Sequence, residues 1–300
     1  MTSDRWIFLS VVAYFLLFMA AAVGLFVWTV KRRRDRAPVA FKLLRGPGES
    51  LRRRMAKFDE DFIVRMGGAA LIPLGAALAV IWVVAKLHPQ TWTELGIGFG
   101  IAAGVFVVTL IAALRWALRD LRRYRNDRLG YLGEREVAEH LQPLLARGYR
   151  VFHDVPAEGT KANFNLDHVA IGASGVTVIE TKTRRKGRAP PGVKDHVVIY
   201  DGARLIWAGK EDRHCLEQVV NEADWLHKFI LQRTGIETPV KPILAIPGWW
   251  VEAKARGDVT VVNAKTVASA VEGNGPRVLS DSQIELIARQ LDALCRDVED

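Results

Sequence analysis

The sequence predicts an α/β domain, a mixed sheet flanked by helices, preceded by an all-α membrane region of three transmembrane helices. Three observations predict it. Three long apolar runs without charge fall before residue 115. After residue 130 the hydrophobic period switches between helical spacing and short β-branched runs. Among those runs, 167–182 has the pattern of a tight β-hairpin with acids and a lysine at one end.

The apolar runs come first. Residues 6–30 hold 25 uncharged positions, and 66–85 and 95–114 hold 20 each. About 20 apolar residues cross a hydrocarbon core of roughly 30 Å. The first run is too long for the apolar part of a signal peptide, and Lys31-Arg32-Arg33-Arg34 follows it, so it reads as a retained anchor. The loop at 31–65 carries 12 Lys/Arg against 5 Asp/Glu, whereas 86–94 carries one of each. Positive charge stays inside, which places that loop and the C-terminal half in the cytoplasm and the short link outside. An integral protein of the cell inner membrane is expected, with anionic lipid meeting its basic juxtamembrane segments. Gly96, Gly100 and Gly104 leave one face of the third span nearly bare, suited to a helix of the same chain or of a homo-oligomer. Pro73 is placed to kink the second span.

A basic juxtamembrane helix is expected at 117–130, ending near Gly130, and a separate helix at 134–146. Strands are expected at 150–154, 167–171, 176–182, 197–200 and 205–207. A helix at 215–232 and strands at 242–246 and 259–262 follow. Ser282 with Glu285 has the spacing of a capping box opening a last helix to about 296. The expected domain is 131–245, with 246–300 packing on it.

Charge is unevenly spread. Residues 1–130 carry 20 Lys/Arg and 9 Asp/Glu; residues 131–300 carry 22 and 24. The overall +9 therefore belongs to the membrane-flanking part and is no argument for nucleic-acid binding. Arg184, Arg185, Lys186 and Arg188 are a local exception just after the hairpin, where a phosphate backbone would lie. The same run also suits a solvated loop beside a membrane. Cys215 and Cys295 have no paired spacing and read as reduced thiols. The histidines show no zinc pattern, and His168 reads as a hydrogen-bonded strand residue.

The hairpin carries the chemistry. If Gly172 pairs with Gly175, Asp167 falls opposite Glu180, and facing side chains have Cβ atoms about 4.5–5.5 Å apart. Alternation puts Lys182 on the face of Glu180. Two neighbouring carboxylates repel unless they share a proton or cation, and Mg²⁺ (or Mn²⁺) is commonly held by one or two carboxylates. A lysine there suits orienting a water or stabilising developing negative charge. An ordinary cross-strand ion pair is the plainer alternative.

Asn165-Leu166-Asp167-His168-Val169 followed by Val178-Ile179-Glu180-Thr181-Lys182 resembles the NERD (nuclease-related) domain, a branch of the PD-(D/E)XK nucleases. Gly133-Glu134 with Val137-Ala138 and Leu141 resembles the family's opening helix, and 149–155 its first strand. Gln218 matches the glutamine on its later helix, and the likeness covers about 128–245. Thr183 stands where the family often has Asn, and the basic, Pro-rich tract after it departs from the pattern. The resemblance implies a restriction-endonuclease-like sheet, Mg²⁺-dependent cleavage of DNA (RNA being the other candidate), and inward-pointing Glu134 and Gln218. Glu136 competes with Glu134 for that place. A non-catalytic membrane-tethered scaffold that kept the fold is the alternative. The uncharged spans give no support to an ion path.

Overall fold

Two β-branched runs on either side of a Gly172–Gly175 turn build the centre of the main sheet in the computed structural model. It describes residues 10, 13–14, 17–18, 20–21, 24–25, 28, 42–87, 89, 91–157, 164–187, 190–192, 194–208, 210–273 and 276–298. The chain divides into two compact units. One takes in Met55–Arg125, the other Val39–Arg54 with Asn126–Asp300.

The second unit begins with β1 (Leu43–Leu44) and the first turns of α1 (Glu49–Lys86), and resumes with the end of α2 (Trp92–Ala146). Its strands are β2 (Arg150–Pro156), β3 (Asn165–Gly172), β4 (Gly175–Thr181), β5 (Val197–Tyr200), β6 (Leu205–Trp207) and β7 (Lys210–Asp212). After α3 (His214–Thr234) come β8 (Val240–Ala245), β9 (Trp250–Ala253) and β10 (Thr260–Val262). Last are α4 (Val267–Glu272), α5 (Asp281–Leu294) and β11 (Arg296–Val298).

Five strands form the main sheet in the order β10-β8-β4-β3-β2. β2, β3 and β4 are an antiparallel meander, while β4, β8 and β10 run parallel. Helices cover both faces, so every residue of β4 is buried. Val169, Ile171, Val176 and Val178 pack with Val219, Leu226 and Ile230 of α3 and Ile284, Ile287 and Leu291 of α5. On the opposite face Ala170, Ile179 and Ile243 meet Val137, Leu141 and Leu144 of α2 and Val267 and Val271 of α4. A smaller sheet, β7-β6-β5-β9, is inserted in the chain between β4 and α3 and recruits β9 afterwards. β1 pairs with β11, and Arg45 N–H donates to Cys295 O at 2.9 Å.

The hairpin register is the expected one, with Gly172 opposite Gly175 and His168 opposite Ile179. Gly172 is required by contact: a Cβ there would lie 2.2 Å from the Tyr149 ring.

Three element boundaries differ from expectation. The stretch read as a loop at 31–65 is helical from Glu49. The helices expected at 117–130 and 134–146 are one, because Gly130 and Gly133 continue α2. Both glycines admit close neighbours: a Cβ would meet Leu51 at 3.0 Å and Thr183 at 2.0 Å, respectively. The capping box is made by Ser280 with Gln283, not Ser282 with Glu285; Ser280 has the extended backbone a cap needs. β7 and β9 were not expected. β7 is three charged residues and β9 only four residues long, too little for the alternation that marks a strand to show.

Among the described residues, two helices are long and apolar enough to cross a membrane, where three were expected. The run at 6–30 lies largely outside the described residues. Of the residues in the most apolar windows of α1 and α2, only 6% and 11% are buried. The helices meet through Gly98, packed on Val84, and through Arg65–Asp120 at 2.6 Å and the rings of Phe58 and Tyr124. Among the described residues nothing lies against the bare sides of Gly96, Gly100 and Gly104.

Candidate functional site

β3 and β4 bring Asp167 and Glu180 to one end of the main sheet, and α3 lays Gln218 over them. Glu180 is 3% exposed. Its Oε1 accepts from Lys182 Nζ at 2.6 Å and from Gln218 Nε2 at 2.9 Å. Gln218 Oε1 accepts from Lys182 Nζ at 2.9 Å, closing a triangle. Asp167 Oδ2 accepts from the Thr181 N–H at 2.7 Å, which fixes the carboxylate to the neighbouring strand. Thus Asp167, Glu180, Lys182 and Gln218 are gathered together.

Glu134 joins them electrostatically from α2. Gly133, pressed on Thr183, lets that helix approach the end of β4. The Gly48 N–H donates to the Glu134 carboxyl. Burial, then the charges of Asp154 and Glu180, pushes that carboxyl up to about 8. Burial first, then Glu180, Glu134 and Glu222, raises Asp167 well above the usual range. For Lys182 burial is the largest influence and acts downward, but Glu180, Asp167 and Glu222 together outweigh it and hold the ammonium charged. Glu136 lies elsewhere, on the rim of a separate cavity.

Two acids in the cluster were missed from sequence. Glu222 is 1% exposed and accepts from Gln218 Nε2 at 2.7 Å. Burial and Glu180 push it up to about 9. Its place one turn after Gln218 was the available signal. Asp154 is the other, with φ +48 in the middle of β2. Its carboxylate accepts from Arg45 at 3.0 Å, from Ser50 Oγ at 2.7 Å and N–H at 3.2 Å, and from Asn165 at 3.1 Å. Those donors saturate it and offset a conformation that costs about 1–3 kcal/mol. Asp154 is therefore an anchor and not a free ligand.

His153 and His168 stand behind the site, Nδ1 to Nδ1 at 2.8 Å, so one donates and the other accepts. Burial lowers His153 to about 4, and burial together with the neighbouring His153 holds His168 well below the usual histidine range. Both are neutral strand histidines, as expected of His168.

Do these residues suit a divalent cation? Buried oxygens Glu180 Oε2, Glu134 Oε2 and Glu222 Oε2 have no hydrogen-bond partner. Buried carboxylate oxygens without a partner are costly, and a shared proton or cation would satisfy them. No three His, Cys, Asp or Glu among the described residues form a ready metal cage. Two carboxylates with solvent completing the shell suit Mg²⁺ better than zinc.

The basic run behaves unevenly. Arg184 is committed, bonded to Asp212 with its guanidinium 4.7 Å from the Trp207 ring centre. Arg185 donates to Asn126 at 2.8 Å. Lys186 reaches over the Trp249 ring at 6.0 Å, and Arg188 lies outside the described residues.

Residues 129–247 match the family model of the nuclease-related domain, NERD. No curated protein and no solved structure matches the chain.

Proposed function

We propose that this chain is a membrane-anchored, divalent-metal-dependent nuclease of the PD-(D/E)XK type that hydrolyses phosphodiester bonds of DNA on the cytoplasmic side. One observation carries the reading. Buried Glu180 engages Lys182 and Gln218 through Oε1 and keeps Oε2 without a hydrogen-bond partner, while its charge acts on both Asp167 and Glu222. Asp167 and Glu180 would hold Mg²⁺ or Mn²⁺. Such an ion, when bound, polarises a phosphoryl oxygen and makes water a better nucleophile.

The chain's own residues supply the remainder. Lys182 offers an ammonium to orient the attacking water and offset negative charge as it develops. Gln218 fixes Lys182 and Glu180 relative to each other. Glu134 lies on the acidic side of the site and would position the ion's water shell or the substrate. Lys186 is the best placed of the basic run for a phosphate, because Arg184 is already paired. Exposed apolar faces such as Ile72 at 63% and Val108 at 67% support an anchor in lipid.

The test uses the full chain in detergent with supercoiled, linear and branched DNA and with RNA, in Mg²⁺ or chelator. Metal-dependent DNA cleavage is expected. Binding without cleavage under every condition would replace the enzyme with a tethered, non-catalytic scaffold.

A further inference from the structure

A cavity of about 320 Å³ opens beside the smaller sheet, with Glu136, Lys186, His196, Trp249, Trp250 and Lys265 on its walls. That volume is at the low end of small-molecule sites, roughly 300–1,000 Å³. Its two tryptophans are held very differently. Trp249 is 6% exposed, donates Nε1 to Arg184 O at 3.0 Å, and stands edge-on to Trp207 with ring centres 4.9 Å apart. It is a fixed wall. Trp250 opens β9, anchored by its N–H to His196 O at 2.9 Å, yet its side chain is 62% exposed. Among the described residues no hydrogen bond or ring contact engages that indole. A rigid backbone thus presents a large flat apolar ring to solvent, at a cost in exposed area.

The charge around the ring narrows what would cover it. Lys186 and Lys265 are exposed, and among the described residues neither has an acidic partner. Glu136 is the one acid on the walls, and His196 adds a further polar edge. Flat π-surface, two ammonium groups and a single carboxylate, with the amide of Asn263 beside them, match a nucleobase with its phosphates. An acidic peptide would leave the ring unused, and a lipid tail would leave the lysines unused. The cavity also lies next to the acidic site: Lys186 is four residues after Lys182, at most about 14 Å of chain.

We propose that Trp250 is a stacking platform for an unpaired base of single-stranded nucleic acid, with Lys186 and Lys265 on the flanking phosphates. This deepens the nuclease reading, on which it rests for the polymer, by giving the substrate a single-stranded segment beside the cleavage site.

Binding is measured on the full chain in detergent with chelator present, so that cleavage plays no part. The probes are a short fluorescent single strand, the duplex of the same sequence, and dAMP alone as competitor. Wild type should prefer the single strand. Trp250→Ala should weaken single-strand binding about 10-fold or more and leave duplex binding unchanged, while Trp250→Phe keeps most of it. Lys265→Glu should weaken binding and flatten its salt dependence. Equal binding by Trp250→Ala, or a wild-type preference for duplex, overturns the proposal. So does displacement by dAMP at concentrations matching the oligonucleotide, which would make the cavity a free-nucleotide site. A chain that binds single strands through Trp250 but never cleaves sinks only the nuclease reading.

Discussion

Gln218 and Glu222 stand one helical turn apart on α3, and the bond between them, 2.7 Å from Nε2 to Oε1, sets which way the Gln218 amide faces. With Nε2 held by Glu222 and Glu180, Oε1 is turned toward Lys182. Glu222→Leu should free the amide to rotate, lowering kcat about 10-fold or more with little change in KM. Glu222→Gln, which mimics the protonated acid, should restore most of it. Steady-state cleavage assays separate these outcomes, and equal losses in both variants would mean a packing effect only.

Glu180→Gln and Lys182→Ala separate holding the ion from using it. Each should cost about 10²–10³-fold in cleavage rate, as losing one electrostatic stabiliser commonly does. Calorimetry should show weaker Mg²⁺ binding in Glu180→Gln and nearly unchanged binding in Lys182→Ala. A Glu180→Gln protein with unaltered Mg²⁺ affinity would remove Glu180 from the ligand set.

Stability should respond to alkali in the absence of metal. Glu134, Glu222 and Asp167 keep protons in the folded chain above the pH at which the unfolded chain releases them. Folded carboxyls raised in this way lose stability as pH climbs from about 4.5 through about 8 and 9. The buried histidines act in the opposite sense. His153 stays neutral when folded, so stability falls as pH drops from 6.5 toward about 4. Between about 6.5 and 9 the carboxyls dominate. Thermal scans in chelator should therefore show the unfolding temperature dropping by several degrees between about pH 6.5 and 9. Mg²⁺ should abolish most of that drop, and Glu222→Gln should blunt it. A profile flat in that interval would contradict a proton-sharing cluster.

Reporter fusions at Arg45 and Asp300 should both read cytoplasmic, and one at Gln90 external. One part of this pattern has a structural basis: Leu43–Leu44 pairs with Arg296–Val298, so both lie on one side of any membrane. Opposite reporter signals at 45 and 300 would contradict that pairing.

The sequence made the local parts of this site legible. Gly172 and Gly175 bound a turn whose register follows from two β-branched runs, so Asp167, Glu180 and Lys182 could be placed on one face. Glu222 was readable by helical spacing from Gln218 but needed the buried face of α3 to be known. Asp154 was not readable, because its backbone conformation and its ties to Arg45 and Ser50 come from residues over 100 positions away. Arg184 looked like a phosphate contact because its partner Asp212 is in β7, a strand too short to announce itself. The helix through Gly130 and Gly133 misled for a related reason. Glycines that usually break a helix are kept in one where Leu51 and Thr183 need their room.

The pairing of residues 43–44 with 296–298 also sets an order of events during synthesis. Arg45, Gly48 and Ser50, which hold Asp154 and Glu134, leave the ribosome before the apolar hairpin; their partners emerge after it. The earliest piece of the module must wait until nearly all the rest has been made. Only then can the last strand close over the first. A chain stopped short of residue 296 would keep its apolar helices but lack the clasp. A fragment begun at 117 would have every candidate catalytic side chain and none of the three residues that brace them. The smallest piece able to fold as this module is therefore not one contiguous stretch following the apolar hairpin, but two stretches with the hairpin between them.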